Sequence, residues 1–216
     1  MGTVIKMNDQ IAKCEELVMG IYNEMDASHD FQHIERVYQN ALAIIKTEPT
    51  ANEKIVLLAV LLHDVSDSKY AADKSNEKRI LEELYLTEEE IRHIETVIAE
   101  VSFNGGNELP ATTVESKIVR DADRLDAIGA VGIARTFAYG GAKGRKLYDD
   151  NEEARMDMSV EEYRSKSTAS VTHFYEKLLL LKDLMVTDKG REMAQQRHGF
   201  MVQFLEQLKK ERDGIL

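Results

Sequence analysis

Apolar residues recur along most of the chain at spacings of three and four positions, which is the period of an amphipathic α-helix. After Thr87 they fall at Ile91, Ile94, Val97, Ile98 and Val101. The last long segment repeats the pattern at Met193, Phe200, Met201, Phe204, Leu205 and Leu208. No stretch alternates apolar and polar residues as a half-buried strand does. The pattern therefore predicts an all-α protein, a compact bundle of roughly nine or ten helices.

Several helix starts are predicted from a capping pattern, in which Ser or Thr is followed three residues later by Glu. The pairs are Thr50 with Glu53, Thr87 with Glu90, Thr112 with Glu115, and Ser159 with Glu162. Each pair stands just before an apolar-periodic stretch, so we expect a helix to begin at each.

Two segments lack helical period, residues 102–113 and 138–151. The second combines three glycines with three cations: Gly140, Gly141, Gly144, Lys143, Arg145 and Lys146. This composition predicts a flexible loop. It is either a solvated surface segment or a lid over a polyanionic ligand.

One segment has no polar face. Every residue from Ile55 to Leu62 is apolar, and His63 and Asp64 follow directly. A single histidine at the end of a buried helix is usually a core residue with a satisfied hydrogen bond. An adjacent carboxylate changes the interpretation, because a charge near a core must be paired, hydrogen-bonded or bound to metal. A metal site is the leading hypothesis.

Further ligand candidates lie on other predicted helices. His33 shares a stripe with Val37, Ala41 and Ile44, so it faces the core. Three acids, Asp121, Asp123 and Asp126, are embedded in a later apolar helix. One of them could instead pair with Arg120 or Arg124.

Composition and charge set the class of protein. Apolar residues make up 43% and charged residues 31%, which is typical of a soluble globular protein, and we expect one domain over residues 1–216. The net charge of −11 disfavours nucleic acid as the main partner and an anionic membrane as a binding surface. The only cysteine is Cys14, and the first residues lack a signal-peptide core. We expect a cytoplasmic protein. Its oligomeric state is not predicted.

Three strings resemble the ligand segments of the HD-domain metal-dependent phosphohydrolase superfamily. They are "HIERV" at 33–37, "LLHD" at 61–64 and "DADRLDAIG" at 121–129, in the order that the superfamily requires. The resemblance runs from about residue 20 to about residue 185, with the C-terminal helices packing on that core. The longer strings "SHDFQHIERV", "VSFNGG" and "DADRLDAIGAVGIARTFAYGG" are similar to a bacterial branch of small stand-alone HD proteins with nucleotide pyrophosphohydrolase activity.

The resemblance implies one divalent metal ion bound by His33, His63, Asp64 and Asp123. Asp123 is preferred to Asp121 because it occupies the acid position of the A-D-x-L segment. Such a mixed nitrogen and oxygen donor set suits Mn, Fe, Ni, Co or Mg better than a closed structural Zn site, and the sequence does not choose the metal.

Three further residues are predicted to act on the substrate. Asp67 lies one turn after His63 and could handle a proton, or it could be a hydrogen-bonding residue of the helix end. Lys69 could contact phosphate, although a solvated lysine is the default. His93 could contact the substrate or a ligand, or it could be a core residue.

The predicted function is therefore hydrolysis of a small-molecule phosphate ester by metal-activated water, with a nucleoside triphosphate cleaved to monophosphate and pyrophosphate. Two alternatives stay open. The same site could serve a phosphomonoesterase or cyclic phosphodiesterase, or it could belong to a nucleotide-sensing protein without turnover.

Overall fold

The computed structural model describes residues 6–23, 30–66, 74–101, 109–155 and 168–216. Within these ranges the regular elements are nine α-helices and one 3₁₀ helix, with no strand. The all-α prediction is confirmed. Of the described residues, those in 6–101 together with 109–122 form one compact unit, and those in 123–216 form a second. The single-domain organisation stays a prediction.

The first unit surrounds one buried helix. Its elements are α1 (Met7–Tyr22), α2 (Phe31–Ile45), α3 (Glu53–Leu62), α4 (Ser75–Glu83), α5 (Glu88–Val101) and most of α6 (Val114–Asp126). Helix α3 packs against α1, α2 and α5. Every side chain from Ile55 to Leu62 is at most 2% exposed, as its unbroken apolar sequence predicts. Burial of this helix anchors the residues that follow it.

The second unit contains the helices that follow. They are α7 (Gly129–Ala142), α8 (Ser170–Glu176), a 3₁₀ helix (Leu178–Leu184) and α9 (Asp188–Arg212). Three phenylalanines, Phe137, Phe174 and Phe204, pack in its core with ring centroids 5.8–6.2 Å apart. The stripe predicted for α9 is correct at Met201 and Leu205, which are buried, but wrong at Phe200, which is 50% exposed.

The helix starts partly follow the predicted caps. Thr87 and Glu90 form the reciprocal pair, since Thr87 N–H donates to Glu90 at 2.9 Å and Glu90 N–H donates to the Thr87 hydroxyl at 3.2 Å. The start predicted at Thr50 is wrong by two residues, because Asn52 caps α3. Ser159 and Glu162 lie outside the described residues.

The start predicted at Thr112 is wrong by one residue. Thr113 accepts from the Ser116 N–H at 3.0 Å and so caps α6. Thr112 is held elsewhere, because its hydroxyl and its N–H both donate to Glu100 of α5, at 2.7 and 2.9 Å. Thr112, which the local pattern predicts as the cap, is therefore bound to the carboxylate of Glu100 on another helix.

The glycine-rich segment is more ordered than predicted. Gly140 and Gly141 belong to α7, and Gly144, with φ of +64°, ends it. The Arg145 N–H donates to the Gly140 carbonyl at 2.8 Å and the Gly144 N–H to the Gly141 carbonyl at 3.1 Å, which is a Schellman cap. Lys146 binds Asp149 at 2.6 Å. The segment is a helix end and an ordered turn, and the flexible loop was a wrong prediction.

The described helices include no candidate membrane span. In the ranges given above, none combines the length and the hydropathy that crossing a bilayer requires.

Candidate metal centre

Helix α2 places His33 in its first turn. Asp30 caps this helix by accepting a hydrogen bond from the His33 N–H at 3.0 Å. The side chains of Val37, Ala41 and Ile44 on the same stripe are fully buried, so the predicted orientation of His33 toward the core is confirmed. The cap fixes where the helix begins and therefore where the first imidazole points.

Helix α3 delivers the other two side chains. His63 is its C-terminal cap residue and Asp64 follows it. The His63 Nδ1 lies 2.8 Å from the carbonyl oxygen of Val60. A carbonyl only accepts, so Nδ1 carries the proton and the lone pair is on Nε2. A backbone contact within one turn thus prepares Nε2 as a ligand atom.

The three side chains converge on one carboxylate oxygen. The Nε2 atoms of His33 and His63 each lie 3.5 Å from Asp64 Oδ2. The two imidazole rings meet edge to face with centroids 5.7 Å apart. The side chains are 2%, 3% and 16% exposed respectively, so the carboxylate alone keeps notable contact with solvent.

These distances fit a shared metal ion. The candidate ligand atoms of the three residues all lie within 4.8 Å of one another. Two atoms bound to one ion at about 2.1 Å, with an angle of about 90–110° between them, are about 3.0–3.5 Å apart. Imidazole nitrogen and carboxylate oxygen are donors that first-row divalent metals accept. The residues therefore fit the ion that the sequence predicts.

Tyr22 lies beneath this end of α3 and was missed in the sequence. Its side chain is fully buried, and its hydroxyl donates to the Leu61 carbonyl at 2.9 Å. Burial, with the Asp64 charge adding to it, raises the pKa of Tyr22 well above the usual value, so the hydroxyl stays protonated. Its position on the stripe of Ile11, Cys14 and Val18 predicts burial, but its hydroxyl partner is 39 residues away.

Two of the three aspartates of α6, the candidates for the fourth ligand, differ in exposure. Asp121, in the first unit, is fully buried. Asp123, the next residue but one, is half-buried and begins the main segment of the second unit. The fourth ligand stays a prediction. Asp67 and Lys69 lie outside the described residues.

His93 does not join the cluster. Its Nε2 lies 3.2 Å from Glu115, which also accepts from the backbone N–H of Asn52 at 2.8 Å. Asn52 caps the N-terminal end of α3, whereas His63 is at the C-terminal end. With a rise of about 1.5 Å per residue, the two ends are roughly 15 Å apart. His93 therefore sits with a structural carboxylate at the end of α3 away from the candidate ligands.

The second unit contains a cavity of its own. This cavity of about 530 Å³ is lined by aromatic, aliphatic and charged side chains, among them Tyr148, Tyr175, Leu205 and Arg212. None of the predicted site residues that the structure describes lines it.

The comparisons with known proteins show the family of the chain. Residues 30–128, which include His33, His63, Asp64 and Asp123, match the HD domain family. With the full-length relatives below, this match shows that the chain belongs to the HD-domain family.

Three relatives extend the similarity to almost the whole chain. YpgQ of Bacillus subtilis (strain 168) is 38% identical over 204 residues, which cover 92% of this chain and 91% of YpgQ. The crystal structure of YpgQ in complex with ADP superposes with a TM-score of 0.77 at 34% identity, over 96% of this chain and 97% of that one.

The other two are known as crystal structures. An HD-superfamily hydrolase from Bacillus thuringiensis is 40% identical, with a TM-score of 0.77 over 96% of this chain and 99% of its own. A Lactobacillus plantarum protein is 32% identical, with a TM-score of 0.83 over 99% of this chain and 100% of its own. The predicted HD-type fold is confirmed, and it is the fold of the HD-superfamily hydrolases.

Proposed function

We propose that this protein is a divalent-metal-dependent phosphohydrolase that cleaves nucleoside triphosphates to monophosphates and pyrophosphate. The observation that carries the proposal is the convergence of His33 and His63 on Asp64, with both Nε2 atoms 3.5 Å from one carboxylate oxygen. Two buried imidazoles and a carboxylate in this arrangement suit a catalytic metal rather than a stability role.

The nucleotide substrate is supported by a relative. YpgQ crystallised in complex with ADP, so a protein that is 34% identical to this one binds a nucleotide in the same fold. The charge of this chain adds a requirement for nucleotide binding. At −11 it repels polyanions over most of its surface, and a nucleotide therefore needs a local cation to bind.

Asp123 is proposed as the fourth ligand. It is half-buried, like Asp64, whereas Asp121 is fully buried. Asp123 also occupies the acid position of the A-D-x-L segment, and its partial exposure is similar to that of Asp64, the carboxylate of the cluster. Mn, Mg, Ni, Co, Fe and Zn are all compatible with two imidazoles and two carboxylates, so the metal is left to experiment.

Different residues are proposed to orient a metal ligand, accept a proton and bind phosphate. A bound divalent ion would supply a water of lowered pKa and neutralise phosphate charge. The Val60 carbonyl holds the His63 proton on Nδ1, so that Nε2 faces the site. Asp67 is proposed to accept a proton from the attacking water, and Lys69 to bind a phosphate oxygen. No nucleophilic side chain is needed, because water itself attacks the anhydride.

The test is a nucleotide panel. Metal-free protein is given Mn, Mg, Ni or Co in turn with each nucleoside triphosphate, a phosphomonoester and a cyclic nucleotide, and released pyrophosphate, orthophosphate and nucleoside monophosphate are measured separately. We expect pyrophosphate from triphosphates, only with metal, and none from the Asp64→Ala variant. As a matched control, His93→Ala should keep turnover, because His93 pairs with Glu115 at the far end of α3.

Each alternative has its own outcome. Orthophosphate from the monoester, or opening of the cyclic nucleotide, would replace pyrophosphate release with phosphomonoesterase or phosphodiesterase chemistry. Tight nucleotide binding without release under any metal would make the protein a nucleotide sensor and would overturn the hydrolase proposal.

A further inference from the structure

The backbone at the end of α3 is held by side chains as well as by the helix ladder. In an α-helix the N–H of Asp64 would point to the carbonyl four residues earlier, that of Val60. Here the Val60 carbonyl accepts from His63 Nδ1 at 2.8 Å. The Asp64 backbone makes a hydrogen bond to the Tyr22 hydroxyl. Tyr22 is therefore hydrogen-bonded to the backbone of the last turn.

The Tyr22 hydroxyl forms hydrogen bonds with two backbone groups of this turn. It donates to the Leu61 carbonyl at 2.9 Å while it accepts from the Asp64 N–H. A hydroxyl is suited to this position, because it is a donor and an acceptor at once. The carbonyl and the N–H that it joins enclose the turn that carries His63 and Asp64.

The ring of Tyr22 reaches the other ligand segment. Its centroid lies 6.5 Å from that of Phe31, the first residue of α2. His33 follows Phe31 by two residues, and Asp30 caps the same turn. One fully buried side chain at the end of α1 thus contacts the start of α2 and the end of α3.

We infer that Tyr22 is the positioning residue of the metal centre, because its hydroxyl fixes the α3 turn that holds His63 and Asp64 beside His33. The inference rests on the proposed function, since it presumes that these three residues bind a metal. Partners that orient metal ligands usually change affinity by about ten- to a hundredfold when they are removed. Tyr22 acts through the backbone of the ligands and makes no contact with substrate.

A plain core role for Tyr22 makes a different prediction. The ring would fill space between the helices, and the hydroxyl would serve only to avoid an unsatisfied carbonyl. Tyr22→Phe keeps the ring and removes the hydroxyl, so a core role predicts lower stability with unchanged metal binding. A positioning role predicts weaker metal binding by folded protein.

The matched control is Tyr38→Phe. Tyr38 is half-buried on α2 in the same unit, where burial, with the charges of Glu15 and Glu53 adding to it, raises its pKa. Glu53 begins α3, so Tyr38 stands near the end of that helix opposite to Asp64. The two variants remove the same atom from the same residue type at the two ends of one helix.

The experiment measures metal binding by full-length protein without substrate. Metal-free wild type, Tyr22→Phe, Tyr38→Phe and His63→Ala are titrated with Mn²⁺ by calorimetry, and their Co²⁺ absorption spectra are recorded. We expect Tyr22→Phe to bind Mn²⁺ at least about tenfold more weakly and to show an altered Co²⁺ spectrum. Tyr38→Phe should match wild type in both.

Two failures are distinguishable. If His63→Ala binds metal as wild type does, the metal centre itself is wrongly assigned and the proposed function falls with it. If His63→Ala loses metal while Tyr22→Phe binds with wild-type affinity and spectrum, only the role of Tyr22 is overturned.

A measurement on the wild type covers the case in which Tyr22→Phe does not fold. Amide exchange is followed by NMR in the metal-free protein. An Asp64 N–H donated to a buried hydroxyl should exchange at least about tenfold more slowly than it would in an unfolded chain. Exchange at the unprotected rate would show that the hydroxyl does not hold this turn.

Discussion

The histidines of the described ranges show that surroundings decide what a residue type does. His33 and His63 lie beside Asp64 and are candidate metal ligands. His93 faces Glu115 and ties α5 to α6. His173 lies among cations, where burial, with Lys177 and Arg145 adding to it, lowers its pKa to about 4. One side chain type has three roles in this protein.

The candidate ligands define the first prediction. Replacing His63 or Asp64 by Ala should lower Mn²⁺ affinity by at least about a hundredfold, because each change removes a donor from the shared site. Titration calorimetry on metal-free protein measures the effect, and circular dichroism checks the fold. Asp123→Ala should weaken binding in the same way, whereas Asp121→Ala should weaken it less. Equal affinity for wild type and His63→Ala would refute the ligand assignment.

His173 defines a prediction about pH. Its pKa of about 4 in the folded protein is below the ordinary value of 6.5. Between these two pH values the imidazole is protonated in the unfolded chain and neutral in the folded protein. Stability is therefore fully present above about pH 6.5 and falls as the pH drops toward 4. Between pH 7 and pH 5 the loss is about 2 kcal/mol.

Urea unfolding at pH 7 and pH 5 measures this effect. The variant His173→Gln keeps a polar side chain that does not titrate, so it should lose less stability over the same interval than wild type does. The same pH dependence in both proteins would mean that His173 is not held neutral by its surroundings.

The sequence predicts those site residues whose positions follow from near neighbours in the sequence, and it misses those whose partners are far away in the sequence. His33, His63 and Asp64 were predictable, because helical period places them on buried faces and the HD segments order them. Tyr22 was not, because its hydroxyl meets the Leu61 carbonyl 39 residues away. Asp67 and Lys69 stay predictions, since the structure does not describe them.

At the scale of the helices, features that depend on local contacts were again predicted correctly, and a feature that depends on a distant contact was not. The buried course of α3 and the cap at Thr87 depend on neighbours within one turn, and both were predicted correctly. The cap of α6 was misplaced because Glu100 binds Thr112 from another helix. A four-residue pattern contains no information about that carboxylate.

The end of α7 supplies a matched pair of substitutions. Gly144 has φ of +64°, so Gly144→Ala should lower stability by about 1 kcal/mol through backbone strain. Gly141 is helical, and a Cβ there would meet no atom within 4 Å beyond its chain neighbours and the backbone of its own helix. Gly141→Ala should therefore raise stability by about 0.5–1 kcal/mol.

Thermal or urea unfolding of the two variants measures both signs. Opposite shifts are expected at positions only three residues apart. If both variants were destabilised equally, the Schellman cap would not explain the difference between these glycines.

At the scale of the whole molecule, charge and chemistry point to one requirement. A chain of net charge −11 repels a nucleotide over most of its surface, whereas the cluster of His33, His63 and Asp64 is suited to a divalent cation that would attract the phosphates. The fold is that of the HD-superfamily hydrolases, and the relative YpgQ crystallised in complex with ADP. Both observations support the proposed hydrolysis of nucleotides.

The most direct measurement is product analysis of nucleoside triphosphate hydrolysis in ¹⁸O-labelled water with Mn²⁺ present. ³¹P NMR and mass spectrometry identify the products and locate the label. We expect equal amounts of nucleoside monophosphate and pyrophosphate, with one ¹⁸O atom in one of them and no product from Asp64→Ala. Nucleoside diphosphate with orthophosphate, or no turnover with any divalent metal, would contradict the proposed function.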